Sequence, residues 1–187
     1  EVYETYATQL KSRFKWLRQD LFIKSLAKDL ADDSASLLSV LKICGEWDPA
    51  KDAKVEALHK LLVKRHPKEK VIVFTQFADT VRYLEKHLSA RGVERLGGGT
   101  GEDEDPTSYA WRFSPISNEK RDRVSPDQEL RVLIATDVLS EGQNLQDGAI
   151  IVNFDLPWAI IRLIQRAGRV DRIGQKSEKI LCYSFLP

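Results

Sequence analysis

Val71-Ile72-Val73-Phe74-Thr75 is a short, almost unbroken apolar and β-branched run, and its texture returns three times: at Val132 to Ala135, at Ile150-Ile151-Val152-Asn153-Phe154, and from Lys179 to Phe185. Strands that alternate apolar and polar residues lie with one face in water. Near-continuous apolar strands are buried on both faces, and between helices they indicate a parallel sheet. Helical stretches do separate these runs, around Asp79 to Ala90, near Leu139 and from Pro157 onward. The fold expected is therefore α/β, a doubly wound parallel sheet with helices on both faces, whose ligands gather at the carboxyl ends of the strands. Thr75-Gln76-Phe77, Thr136-Asp137 and Asn153 to Asp155 each follow a strand, where that rule locates a site.

Upstream, residues 3 to 44 read as helical, with Leu10, Phe14, Leu17 and Leu21, then Leu37, Leu38 and Leu41, at helical spacing. Asp32-Asp33-Ser34 is a candidate start for a second helix. Trp47-Asp48-Pro49 is a break, and a further helix fits Asp52 to Arg65 with Val55, Leu58, Leu61 and Leu62 inward. The chain is thus expected to divide into a helical linker or appendage, residues 1–50, and an α/β unit, residues 51–187. Within the latter, residues 95 to 129 interrupt the rhythm. The glycines at 97 to 99 and the acids at 102 to 105 read as a loop.

Downstream of Phe154, the stretch from Trp158 to Gln175 contains Gln165-Arg166-Ala167-Gly168-Arg169-Val170-Asp171-Arg172-Ile173-Gly174-Gln175. On a helix, residues 162, 165, 166 and 169 share one face. Ile160, Leu163, Ile164 and Ala167 form an adjacent apolar stripe expected to be buried. The guanidinium fork matches phosphate oxygens in geometry and charge.

Gln165-x-x-Gly168-Arg169-x-x-Arg172 resembles motif VI of superfamily 2 helicases, and the ending Arg172-Ile173-Gly174-Gln175 is similar to that of the Snf2-like branch. Val71 to Phe77 resembles motif IV, and Ala135 to Gln146 resembles motif V. Three motifs in order, across about two thirds of the chain, are strongly specific. The resemblance implies a RecA-like lobe, the helicase C-terminal domain of a DNA-dependent ATPase. It implies that Arg169 and Arg172 are arginine fingers, that Gln165 couples nucleotide to nucleic acid, and that Gly142 and Asn144 lie beside the ribose. It implies nucleic-acid backbone contacts at Thr75, Gln76 and Thr136, and at Gly98 within Arg95-Leu96-Gly97-Gly98. Arg166 reads as an internal salt-bridge partner and Asp171 as a local counter-charge.

The chain lacks a Gly-x-x-x-x-Gly-Lys-[Ser/Thr] phosphate loop; Gly174-Gln175-Lys176-Ser177 has its lysine displaced. Nor does a strand carry an Asp-Glu pair for a metal. The expected cofactor is ATP, with Mg²⁺ held by an N-terminal RecA-like lobe of the same polypeptide, and these 187 residues alone are expected not to hydrolyse it. The net charge of +1 announces no nucleic-acid surface, so any such surface is local. Residues 162 to 179 supply one, with six Lys/Arg against Asp171 and Glu178.

Double-stranded DNA is the expected partner, held weakly by this lobe and in a salt-dependent way. A strand-separating RNA or DNA helicase lobe and a non-catalytic binding module are the alternatives. No apolar run has membrane length. Cys44 and Cys182 lack metal or disulfide spacing and read as reduced core thiols of a cytoplasmic protein, nucleoid-associated or nuclear if eukaryotic. A start at Glu1 and a stop at Pro187 read as a piece of a longer polypeptide.

Overall fold

The computed structural model describes residues 2–8, 17–137 and 142–186. Leu10 and Phe14, Val138 to Glu141 of the motif V stretch, and the helix expected near Leu139 lie outside the described residues. The chain divides into two compact units, Glu1–Asp48 and Pro49–Pro187.

The first unit contains helix α1 (Val2–Thr8), a short 3₁₀ turn (Gln19–Leu21) and helix α2 (Leu26–Cys44). Asp32-Asp33-Ser34 starts no helix: it lies inside α2, which begins after Ser25. The good helix formers Leu26, Ala27, Leu30 and Ala31 carry the helix through the three polar residues. No residue of α2 is buried. The helix stops at Gly45, whose φ of 68° is comfortable only without a side chain.

The second unit holds helix α3 (Ala53–Lys60), capped by the Asp52 carboxylate through the Lys54 and Val55 amides at 3.0 Å each. It continues as a π-helical turn, Leu61–Arg65. Then come β1 (Val71–Thr75), α4 (Ala78–Ala90), β2 (Leu96–Gly99), α5 (Pro106–Phe113), β3 (Val132–Thr136), β4 (Ile150–Asn153), α6 (Ile160–Val170) and β5 (Leu181–Ser184). The five strands form one parallel sheet in the order β2-β3-β1-β4-β5. β1, β3 and β4 are central and buried at every position. Alternation puts Val71, Val73, Val132 and Ile134 against α3 and α4, and Ile72, Phe74, Leu133 and Ala135 against α5 and Val170.

The loop expected across residues 95 to 129 is only partly a loop. Gly97, Gly98 and Gly99 are buried in β2. Three glycines carry no hydrophobic pattern; neighbours supply the contacts, and a Cβ at Gly97 would lie 2.8 Å from Leu130 Cδ1. The acids run into α5, where the Asp105 side chain accepts from the Ser108 amide at 3.2 Å and Pro106 occupies the first turn.

Both cysteines are exposed and so are not core thiols. Cys44 ends a helix with no buried residue, and Cys182 sits on the edge strand β5. Among the described residues no helix is long and apolar enough to cross a membrane.

Candidate functional site

Thr75 and Thr136 are in register at the carboxyl ends of β1 and β3, and Asn153 pairs with Phe74 beside them. Asp137 and Asp155 follow. Into this polar rim α6 sends Arg166, which is 2% exposed. Its Nε and Nη2 donate to the two oxygens of Asp137 at 2.6 and 3.0 Å, a two-point fork. Its Nη1 donates to Asn153 Oδ1 at 2.9 Å and to the Asp155 carbonyl at 3.3 Å, and its charge lies 5.2 Å from the Phe74 ring centroid. A buried charge must be paired and hydrogen-bonded to be tolerated, and here both conditions are met. Arg162 approaches Asp137 from the solvent side at 3.5 Å.

This corrects the expected apolar stripe of α6 in part: Leu163 and Ala167 are half-buried, Ala167 against the core, but the two isoleucines are not. Ile160 and Ile164 are 76% and 63% exposed, while Arg166 and Val170 are the buried residues. The acceptors at the strand ends, Asp137 and Asn153, draw an arginine inward where an apolar stripe was expected. Gly168 neither ends the helix nor meets a close neighbour.

Asp155 organises the end of β1. Its carboxylate accepts from the Thr75 hydroxyl and, at 3.0 and 3.1 Å, from the Gln76 amide. Thr75 is wholly buried, so in this arrangement it holds the strand end instead of offering a donor to a phosphate. Gln76 is exposed, with Nε2 donating to the Leu156 carbonyl at 3.0 Å. Thr136 is 7% exposed. The Gly98 amide is likewise taken: it donates to Glu85 Oε1 at 2.9 Å, and Gly98 is buried. The expected row of backbone contacts at Thr75, Gln76, Gly98 and Thr136 is therefore not assembled as one open surface.

The second cluster is assembled. Arg172 Nη1 donates to Asn144 Oδ1 at 2.6 Å, so Arg172 rests on Asn144 where Asp171 had been expected as its counter-charge. The Leu145 amide donates to the Arg169 carbonyl at 3.2 Å, tying the segment before β4 to the last turn of α6. Gln175 Nε2 is shared among the carbonyls of Gln146, Gly148 and Val170 at 2.9 to 3.1 Å. The glutamine of the Arg-Ile-Gly-Gln ending thus fastens the chain after α6 to the same segment. Between them lies an open groove lined by Asn144, Gln146, Asp171, Arg172 and Ile173. Gln146 Oε1 is buried there without a hydrogen-bond partner among the described residues.

Gly142, at φ 76°, is exposed and adopts a backbone conformation that suits glycine. Gln165 is exposed and Arg169 half-buried, and neither side chain makes a hydrogen bond or ion pair with a described residue. Guanidinium groups of this kind suit phosphate oxygens: the Arg169 side chain has no partner among the described residues, and that of Arg172 rests on a neutral amide. Among the described residues no three His, Cys, Asp or Glu side chains converge on a metal position.

Sequence reasoning did not assign Asp137, Asn153 or Asp155 their partners, though Asn153 ends a strand and the two aspartates lie just beyond one. It missed Ser117, Asn118 and Asp147 entirely, because nothing in their local sequence marks a site.

Residues 53–174 match the family described as helicase conserved C-terminal domain. An uncharacterized ATP-dependent helicase of Bacillus subtilis, YqhH, is 34% identical over 113 residues, covering 59% of this chain and 18% of that protein. DEAD-box ATP-dependent RNA helicase 35A of Oryza sativa is 32% identical over 124 residues, covering 66% of this chain and 18% of that one. The chain therefore spans about a fifth of the length of these relatives. The C-terminal part of the Fun30 ATPase domain shares the fold, with a TM-score of 0.59 at 20% identity over 83% of this chain and 48% of that one.

Proposed function

The chain belongs to the helicase conserved C-terminal domain family, and on that premise we propose that it is the second RecA-like lobe of a Snf2-like motor that couples ATP hydrolysis to movement along double-stranded DNA. The observation that carries this reading is the unequal treatment of the arginines around α6. Arg166 is enclosed by its own acceptors, Arg172 rests on an amide oxygen, and the Arg169 side chain has no partner among the described residues.

ATP would bring a triphosphate, whose transfer spreads charge over the γ-phosphate oxygens, with Mg²⁺ held by an N-terminal lobe of the same polypeptide. Arg169 and Arg172 would neutralise that charge across the cleft between lobes. Gly142 and Asn144 would lie beside the ribose, and Gln165 would link the nucleotide to the nucleic acid. Thr75, Thr136 and Asp155 would keep the strand ends in register, and Gln76 would face the nucleic-acid backbone. Residues 1–50 would serve as an appendage to the motor.

In the polypeptide carrying both lobes, Arg169→Ala and Arg172→Ala are each expected to lower ATP turnover by about 10³-fold or more. Nucleotide affinity, read with a fluorescent ATP analogue, should change only a few-fold. Full turnover by either variant removes the finger assignment.

A strand-separating RNA helicase lobe is the second reading, favoured by the match to a protein named as an RNA helicase. Stimulation of turnover by duplex DNA supports the first reading, and stimulation only by RNA supports the second.

A further inference from the structure

The segment between α5 and β3 reads in sequence as a surface loop, yet its first five residues, Ser114 to Asn118, are bonded to the segment that carries Asn144. Ser114 is wholly buried, and its hydroxyl accepts from the Asp147 amide at 3.3 Å. The Asp147 carboxylate accepts from the Ile116 amide at 2.8 Å, the Ser117 amide at 3.0 Å and the Ser117 hydroxyl at 2.6 Å. Asn118 Nδ2 donates at 2.7 Å to two carbonyls, those of Ser114 and Asn144, while its Oδ1 faces the Asn144 amide at 3.4 Å. The turn closes through Glu119, a non-glycine residue at φ 55°.

These bonds settle which way Asn144 points. Its Nδ2 donates to the Ser117 carbonyl at 3.1 Å. A carbonyl can only accept, so it fixes the amide nitrogen toward the turn and turns the amide oxygen toward Arg172, which meets it at 2.6 Å. Arg172 is thereby held by a neutral acceptor. A phosphate that took the guanidinium would leave an amide behind rather than an unpaired carboxylate, so the release costs little.

We propose that the Ser114–Asn118 turn is a positioning element of the nucleotide site, in which Asn118 and Asp147 fix Asn144 and, through it, the aim of Arg172. The proposal rests on the reading of Arg172 as an arginine finger.

The test uses the polypeptide carrying both lobes, with Asn118→Ala, which removes the amide, and Asn118→Asp, which sets a carboxylate against the carbonyls of Ser114 and Asn144. Turnover is normalised to the folded fraction from circular dichroism, so that loss of fold is not counted as loss of aim. A misaimed group costs on the order of 10²-fold. Both variants should therefore lose about 10- to 100-fold in kcat, with the KM for ATP unchanged within about threefold. In an Arg172→Ala background either change should cost nothing further, because the residue it aims is gone.

Normal kcat in the Asn118 variants, with Arg172→Ala inactive, overturns the positioning role alone. So do losses that multiply in the double variants, since a general structural role would damage the site whether or not Arg172 were present. Full turnover by Arg172→Ala overturns the finger reading, and the positioning role with it.

Discussion

Arg166 and Arg169 stand three residues apart on α6 and carry the same charge, and the lobe treats them oppositely. Arg166 is sunk among the ends of three strands with an acceptor for each of its nitrogens: Asp137 for Nε and Nη2, and Asn153 with the Asp155 carbonyl for Nη1. The Arg169 side chain, one turn later, makes no ion pair or hydrogen bond with a described residue. A buried charge with a complete set of partners belongs to the architecture, whereas one without partners is available for work on something outside the lobe. Arg172 lies between these cases, on one amide oxygen of Asn144.

The contrast can be broken by substitution. Arg166→Ala should destabilise the lobe by about 3–5 kcal/mol, because it strips the two-point fork from half-buried Asp137, removes the donor to Asn153 Oδ1 and empties the space of a buried side chain. Urea denaturation measures this, and a loss below about 1 kcal/mol would mean that the pair is not structural. Asp155→Ala should cost less, about 1–3 kcal/mol, since it strands the Thr75 hydroxyl and the Gln76 amide. Asp155→Asn should recover part of that loss in the same titration.

At the opposite end of the sheet, Glu129 holds Lys70 at 2.6 Å and also pairs with Arg121. Burial works to raise its pKa, but the hydrogen bonds and charges of Lys70 and Arg121 outweigh it, and the carboxyl ends below the usual glutamate value. A depressed folded pKa contributes stability above the unfolded value, and that contribution is lost as pH falls through the folded one. Glu129→Gln should therefore cost on the order of 1 kcal/mol at neutral pH. The gap from the parent chain should close below the ordinary glutamate range, as melts between pH 7 and pH 3 would show. Smallest of all, Arg169→Ala should leave the melting midpoint almost unmoved, within about 0.5 kcal/mol. A large loss there would show that Arg169 is structural after all and erase the distinction from Arg166.

The sheet was legible where side chains carry the pattern. Val71 to Thr75, Val132 to Ala135 and Ile150 to Val152 are apolar because both faces of those strands are covered, and each run is a strand. β2 was illegible for the converse reason: Gly97 meets Leu130 and Tyr109, and Gly98 meets Glu85 and Val81, residues outside its own stretch of sequence. α5 was hidden behind acids that resemble a loop until the Asp105 cap is seen.

At the site, the pairing of Arg166 inside the lobe was readable from its place beside Arg169 and Arg172 in the motif. The outward turn of Ile160 and Ile164 was not, because helical spacing does not reveal whether a charged or an apolar stripe finds partners at the strand ends. The support of Asn144 by Ser117 and Asn118 spans 27 and 26 residues and leaves no local trace.

Gly98 and Glu85 carry a consequence for descent. A Cβ at position 98 would come within 2.7 Å of a Glu85 oxygen and 3.0 Å of Val81 Cγ1, so a side chain there requires the glutamate to swing away and Val81 to give. Lobes that diverged from a common ancestor with this one should show the two sites changing in concert. A larger residue at 98 should accompany a shorter one at 85, and a lineage that retains the glutamate should retain the glycine.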